Sequence, residues 1–187
     1  MHDDPFANDD DADDPIAATR RWLQRVVIGL NLCPFARAVH ARNQIRYVLS
    51  AATTPDALLE DLTRELEFLH GADPEMVDTT LLVHPQVLGD FMDYNDFLDD
   101  ADAALEALGL DGVIQVASFH PDYRFADSEP DDVGNFTNRS PWPMLHLLRE
   151  DSVERAVAAF PDPDAIVERN IQTLQRLGAA GLRRLLR

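Results

Sequence analysis

The stretch IRYVLSAATTPDALLEDLTRELEFLHGADPEMVDTTLLVHP, residues 45–85, decides the fold. Its first six residues, Ile45 to Ser50, are rich in β-branched and aromatic side chains and read as a strand. Thr54-Pro55 then places an N-cap before a proline at the first helical position. Leu58, Leu59, Leu62, Leu66 and Leu69 carry an apolar stripe from there to a His70-Gly71 stop. Thr79 to His84 is a short apolar run closed by Pro85, which predicts a second strand. A strand, a helix and a strand in this order form a crossover unit with parallel strands.

The pattern extends on both sides. Downstream, Phe91, Tyr94, Phe97, Leu98, Ala101, Leu105 and Leu108 recur at close to 3.6 residues until Gly109, and Val113 to Phe119 is apolar enough for a central strand. Residues 120–143 show neither period, and their aromatic side chains argue for an ordered, functional loop. Met144 to Arg149 reads as a strand and Val153 to Phe160 as a helix capped by Asp151 and Ser152. Asp162-Pro163 caps a last helix that stops at Gly178, with residues 179–187 adding a turn or two. Upstream, Asp14-Pro15 opens a helix carrying Ile16, Leu23, Val26, Val27 and Leu30, which ends near residues 29–34. The predicted class is α/β: a mixed, mostly parallel sheet of about four strands in the order α-βαβαβ-long loop-β-αα, with helices packed on it. It forms a single domain over residues 15–187 behind an acidic, disordered tail over 1–14.

Composition narrows the function. The chain has 187 residues and a formal charge of −18, so its field repels polyphosphates and acidic membranes. Nucleic acid and membrane are therefore not expected partners. All 16 basic residues are arginines, which removes Schiff-base chemistry and Walker-type phosphate loops, both of which need a lysine amine. Seven aspartates lie in residues 1–14, and eight carboxylates without a base lie between Asp90 and Asp111. Both stretches read as solvated surface, since neither has the glycine and glutamate spacing of a calcium loop. One cysteine excludes an internal disulfide, and no signal peptide or membrane-length apolar run is visible, which predicts a cytoplasmic protein.

Three patches combine reactive side chains with restricted backbone. In Gly29-Leu30-Asn31-Leu32-Cys33-Pro34-Phe35-Ala36, Cys33 is either a small buried hydrophobe or a thiolate nucleophile supported by nearby arginine or histidine. In Phe119-His120-Pro121-Asp122-Tyr123-Arg124-Phe125, His120 is either a proton-transfer group at the ligand face of the sheet or a cap on the strand end. In Asn135 to Pro143, Asn135, Asn138 and Arg139 can present donors to a carboxylate or phosphate, or can satisfy a rigid turn. Cys33, His84, His120 and His146 are also weak candidate ligands for zinc or iron, although no diagnostic spacing links them.

The Cys33 segment, Phe-His-Pro-Asp-Tyr at 119–123 and Asn-Arg-Ser-Pro-Trp-Pro-Met-Leu-His-Leu-Leu-Arg-Glu at 138–150 together resemble the domain of unknown function 1415 family of bacterial proteins. The resemblance covers nearly the whole chain after residue 14 and implies no particular reaction, cofactor or catalytic residue. On the residues alone, the leading expectation is a small enzyme or binding domain for a small anionic molecule. Its site is built from the 120–143 loop and the Cys33 segment. His120 and Cys33 are the catalytic candidates, and Arg46, Tyr123, Arg124, Asn135, Asn138 and Arg139 are the ligand-binding ones. A non-catalytic protein that uses its acidic surface, and a zinc or iron protein, are the alternatives. The sequence names no cofactor and no oligomeric state.

Overall fold

The structure, a computed structural model, describes residues 14–160, 162 and 165–185. The expected tail other than Asp14, and Pro163 of the expected last cap, lie outside these residues.

Helix starts follow the local chemistry. Asp14 accepts hydrogen bonds from Ile16 N and Ala17 N at the head of α1 (Pro15–Trp22), and Thr54 accepts one from Ala57 N at the head of α3 (Pro55–Gly71). Between them lie α2 (Ala36–Ala41), a six-residue helix that the sequence pattern does not announce, and strand β1 (Ile45–Leu49). β2 (Thr79–Val83), α4 (Phe91–Ala107) and β3 (Ile114–Phe119) fall where periodicity puts them. The 120–143 loop contains only a short 3-10 turn, Val133–Thr137, before β4 (Met144–Arg149). α5 (Glu150–Ala158) follows β4 directly, and Ser152 does not cap it but donates instead to Asp78 Oδ1 at 2.6 Å. α6 (Ala165–Leu185) breaks at Gly178, whose φ of 64° suits a residue without Cβ. No helix among the described residues is long and apolar enough to cross a membrane.

The sheet corrects one expectation. Its order is β1-β2-β4-β3, and only β1 and β2 pair in parallel; β4 is antiparallel to both β2 and β3. The sheet is mixed but mostly antiparallel. The crossovers give β1, β2 and β3 one direction, as the sequence implies, but they do not decide which strands touch. All of β2 is buried and β4 carries Met144, Leu145 and Leu147, each fully buried, so the two strands that lose most by exposure take the centre, and β4 separates β2 from β3.

Strand register sorts the side chains onto two faces. Thr80 and Leu82 of β2 and Leu145 and Leu147 of β4 face α3 and α4, whose Leu58, Leu62, Leu66, Leu69, Tyr94 and Phe97 complete one core. The opposite face has three rows: Ile45, Thr79, Leu148 and Gln115; Tyr47, Leu81, His146 and Ala117; Leu49, Val83, Met144 and Phe119. Trp22, Leu23 and Val26 from the first helical segment and Leu174 and Leu182 from α6 pack on this second face.

Candidate functional site

The long loop spends its polar groups on itself. His120 is fully buried at the end of β3; its Nε2 donates to Leu88 O at 3.2 Å and its Nδ1 accepts from Asp122 N at 3.0 Å. Its ring also lies against Phe91 and Tyr94, and burial pushes its pKa down. Both nitrogens of the neutral ring are thus held by backbone groups. Asn135, also fully buried, accepts from Phe125 N and Ser128 Oγ and donates to Glu129 O. Asn138 donates to Ser118 O and accepts from Thr137 Oγ1. Arg139 donates to Tyr123 O at 3.2 Å and Pro130 O at 2.8 Å, with its guanidinium over the Phe136 ring. The Tyr123 hydroxyl accepts from Ser118 Oγ at 3.4 Å, while Arg124 is exposed. Trp22 Nε1 donates to Arg139 O and ties the loop to the first helix.

The remaining candidates scatter. Arg46 faces α3 and forms a bidentate pair with Glu65 at 2.8 and 3.0 Å; that hydrogen bond raises its already high pKa. His84 is buried at the end of β2, its ring stacked 5.8 Å from Tyr94 and its Nδ1 donating to Val87 O. Burial pushes its pKa down to about 4, and its Nε2 has no hydrogen-bond partner among the described residues. Among the described residues no three His, Cys, Asp or Glu side chains gather so as to hold a metal ion.

Cys33 has a different setting. The first helix does not stop at α1 but widens into π-helical turns over Leu23–Ile28, a feature often found beside functional sites. Gly29 follows, where a Cβ would lie 2.3 Å from Arg25 O, and Asn31 then takes a left-handed conformation with φ 55°. Leu32 N reaches back to Val27 O, and Asn170 of α6 donates to Leu32 O at 2.8 Å. Gly29 and Asn31 therefore explain the first residues of the Cys33 motif: they turn the chain so that Cys33-Pro34-Phe35 becomes a wall.

That wall closes a cavity of about 740 Å³ on the second face of the sheet, between the Cys33 segment, α2 and α5. Its floor is mainly apolar, with Leu23, Ile45, Leu81, Ala117, Phe119 and Leu148 contributing. Trp22 stands edge-on to Phe119 at 5.4 Å, and Phe35 meets Phe160, just past the end of α5, edge-on at 5.7 Å. The volume and lining are those of a small-molecule site. Of the residues proposed from sequence as catalytic or ligand-binding, Cys33 alone lines it; no residue of 120–143 does. The cavity lies toward the amino ends of β1, β2 and β3, away from the end where the loop sits.

A few polar groups interrupt this lining. Gln115 projects from β3, and its amide makes no hydrogen bond among the described residues. His146 projects from β4; burial pushes its pKa down to about 4. Its Nε2 lies 2.7 Å from Thr79 Oγ1, which itself donates to Leu147 O at 2.6 Å. Three arginines and two carboxylates, Glu75 and Asp78, complete the lining. Arg149 caps α3 by donating to Leu69 O and Ala72 O. Arg42 donates to Gln44 Oε1 and Arg155 to Ser152 Oγ; neither pairs with a carboxylate among the described residues. Sequence reading weighs His146 only as a metal ligand and omits Thr79, Gln115, Arg42 and Arg155. The available signal is position: period-2 alternation puts Thr79, Gln115 and His146, one from each of three strands, on the same face of the sheet.

A family model described as "Protein of unknown function (DUF1415)" matches residues 14–184. The chain matches no curated protein and no solved structure.

Proposed function

This chain belongs to the DUF1415 family, and from the geometry of its cavity we propose that it binds a small amphipathic anion there, with Cys33 at the site. The observation that carries this reading is a mainly apolar space of about 740 Å³ whose lining includes, beside Glu75 and Asp78, two arginines that make no ion pair with a carboxylate among the described residues. An apolar ring or chain gains from burial against Trp22, Phe119 and Leu81, at about 25 cal/mol for each Å² removed from water. A carboxylate or phosphate on it meets Arg42 and Arg155, which offer planar forks of donors. The overall charge of −18 does not oppose this, because contacts of a few ångströms dominate over charges a screening length away.

The probe is 8-anilinonaphthalene-1-sulfonate, an aromatic sulfonate, titrated against the native protein by fluorescence. Ala117 lies at the floor, so Ala117→Phe fills the cavity and is expected to weaken binding at least tenfold. Arg42→Ala combined with Arg155→Ala is expected to cost about the same. Binding that is absent, or unaffected by Ala117→Phe in a variant of native circular dichroism, overturns the reading. Ala156→Phe, from the α5 wall, is the second blocking variant.

A further inference from the structure

We infer that His146 is the hydrogen-bond acceptor of this cavity, so that the molecule bound there carries an O–H or N–H group on an apolar framework. This rests on the cavity being a binding site, and it names the second half of the ligand's chemistry, beside the anion that the arginines would take.

Thr79 Oγ1 has one hydrogen and two close neighbours, Leu147 O at 2.6 Å and His146 Nε2 at 2.7 Å. A carbonyl oxygen can only accept, so the hydroxyl proton goes to Leu147 O. The contact with His146 is then satisfied only if Nε2 carries a hydrogen and donates to Thr79 Oγ1. A neutral imidazole with hydrogen on Nε2 has a lone pair on Nδ1. Burial keeps the ring neutral at physiological pH. Nδ1 has no hydrogen-bond partner among the described residues, and the ring that bears it lines the cavity.

The surroundings make this lone pair selective. His146 stands in a row with Leu81 and Ala117, and its ring lies 6.0 Å from that of Phe119. These neighbours offer no donor. Leu81, Ala117 and Phe119 cannot give that lone pair a hydrogen, so a donor on a ligand can take it. A neutral acceptor cannot attract the anionic part of a ligand, so the two recognition elements are separate. The arginines take the charge, and His146 takes a hydroxyl, phenol, indole or amide hydrogen.

Phenol and toluene test this, since they match in shape and differ in the donor. Binding of each is measured by calorimetry to the full chain and to His146→Leu. The expected result is that His146→Leu weakens phenol about tenfold and leaves toluene unchanged or tighter. Thr79→Val, which frees the ring from its fixed partner, is expected to weaken phenol several-fold without affecting toluene. Toluene binding together with phenol binding indifferent to His146→Leu overturns the role of His146 and leaves the cavity reading intact; failure of both rings to bind removes both. The unsubstituted protein gives an independent answer should the variants not fold. ¹⁵N spectra of its histidine rings are expected to show hydrogen on Nε2 of His146 at pH 7 and a shift of Nδ1 on adding phenol. Hydrogen on Nδ1 instead would end the proposal.

Discussion

Two regions attract attention in the sequence because they combine reactive or polar side chains with a restricted backbone, and the structure treats them differently. In the 120–143 loop, Asn135, Asn138, Arg139 and His120 bond to carbonyls and amides of the loop, the neighbouring strand and the 85–90 turn. Around Cys33, by contrast, Gln115 and Nδ1 of His146 have no hydrogen-bond partner among the described residues, and Arg42 and Arg155 make no direct ion pair among them, beside a mainly apolar space that Glu75 and Asp78 also line. A loop with no ladder of its own must satisfy its backbone with side chains, which consumes the donors that ligand binding would need. A sheet satisfies its backbone through its ladders, so polar side chains on its face stay available. Polar side chains on the strands of this fold are therefore freer to meet a ligand than those of the loop.

Acid gives the largest expected effect that bears on this contrast. His84, on the loop side of the sheet, and His146, in the cavity, are both held near a pKa of about 4 by burial, against 6.5 for a free imidazole. A lowered folded-state pKa means that the unfolded chain binds protons first. Stability is complete above pH 6.5 and falls as the pH drops toward 4, by roughly 3 kcal/mol for each histidine. Urea unfolding of the wild type and of His84→Phe and His146→Leu at pH 7.5 and 4.5 isolates each share, because relief of carboxylate repulsion is common to all three. A His146 share much smaller than that of His84 would show that water enters the cavity; equal shares would show it dry.

Breaking the loop should cost stability and leave binding intact. Asn135→Ala leaves Phe125 N–H and Glu129 O without partners and is expected to destabilise by about 2–3 kcal/mol, read from the urea midpoint. Unchanged stability would return the loop to consideration as a binding element. Gly29→Ala forces a Cβ against Arg25 O and is expected to cost about 1–2 kcal/mol. It should also weaken the aromatic sulfonate, since the Cys33 wall turns at that residue. Ala117→Leu should change stability by less than about 1 kcal/mol, because it grows into existing space, while reducing sulfonate binding. Destabilisation beyond 3 kcal/mol would mean that the space about Ala117 is already filled.

Much of the fold was legible because it rests on local signals. Asp14-Pro15 and Thr54-Pro55 mark helix starts by their capping oxygens, and the leucines of α3 mark a buried stripe by their spacing. β4 is readable as a strand from its apolar run, and its place in the sheet is not. The site was less legible. Cys33 is marked by its motif, but the two routes open to His120 differ only in what surrounds the ring. Leu88 O, the acceptor for its Nε2, comes from 32 residues away, and no local pattern encodes that contact. Arg46 likewise meets Glu65 across a helix turn and a strand.

By itself the sequence determined the class of elements, the common direction of β1, β2 and β3, the absence of lysine chemistry and the backbone restrictions of the Cys33 segment. Each of these follows from neighbours within a few residues or from composition. Only the tertiary structure decided that β4 lies between β2 and β3, that the long loop closes on itself, and that Cys33, Gln115, His146 and Arg155 share one cavity. The physical reason is common to all three. Capping and periodicity are local, whereas strand adjacency and the partner of a buried polar atom depend on which distant surfaces exclude water together.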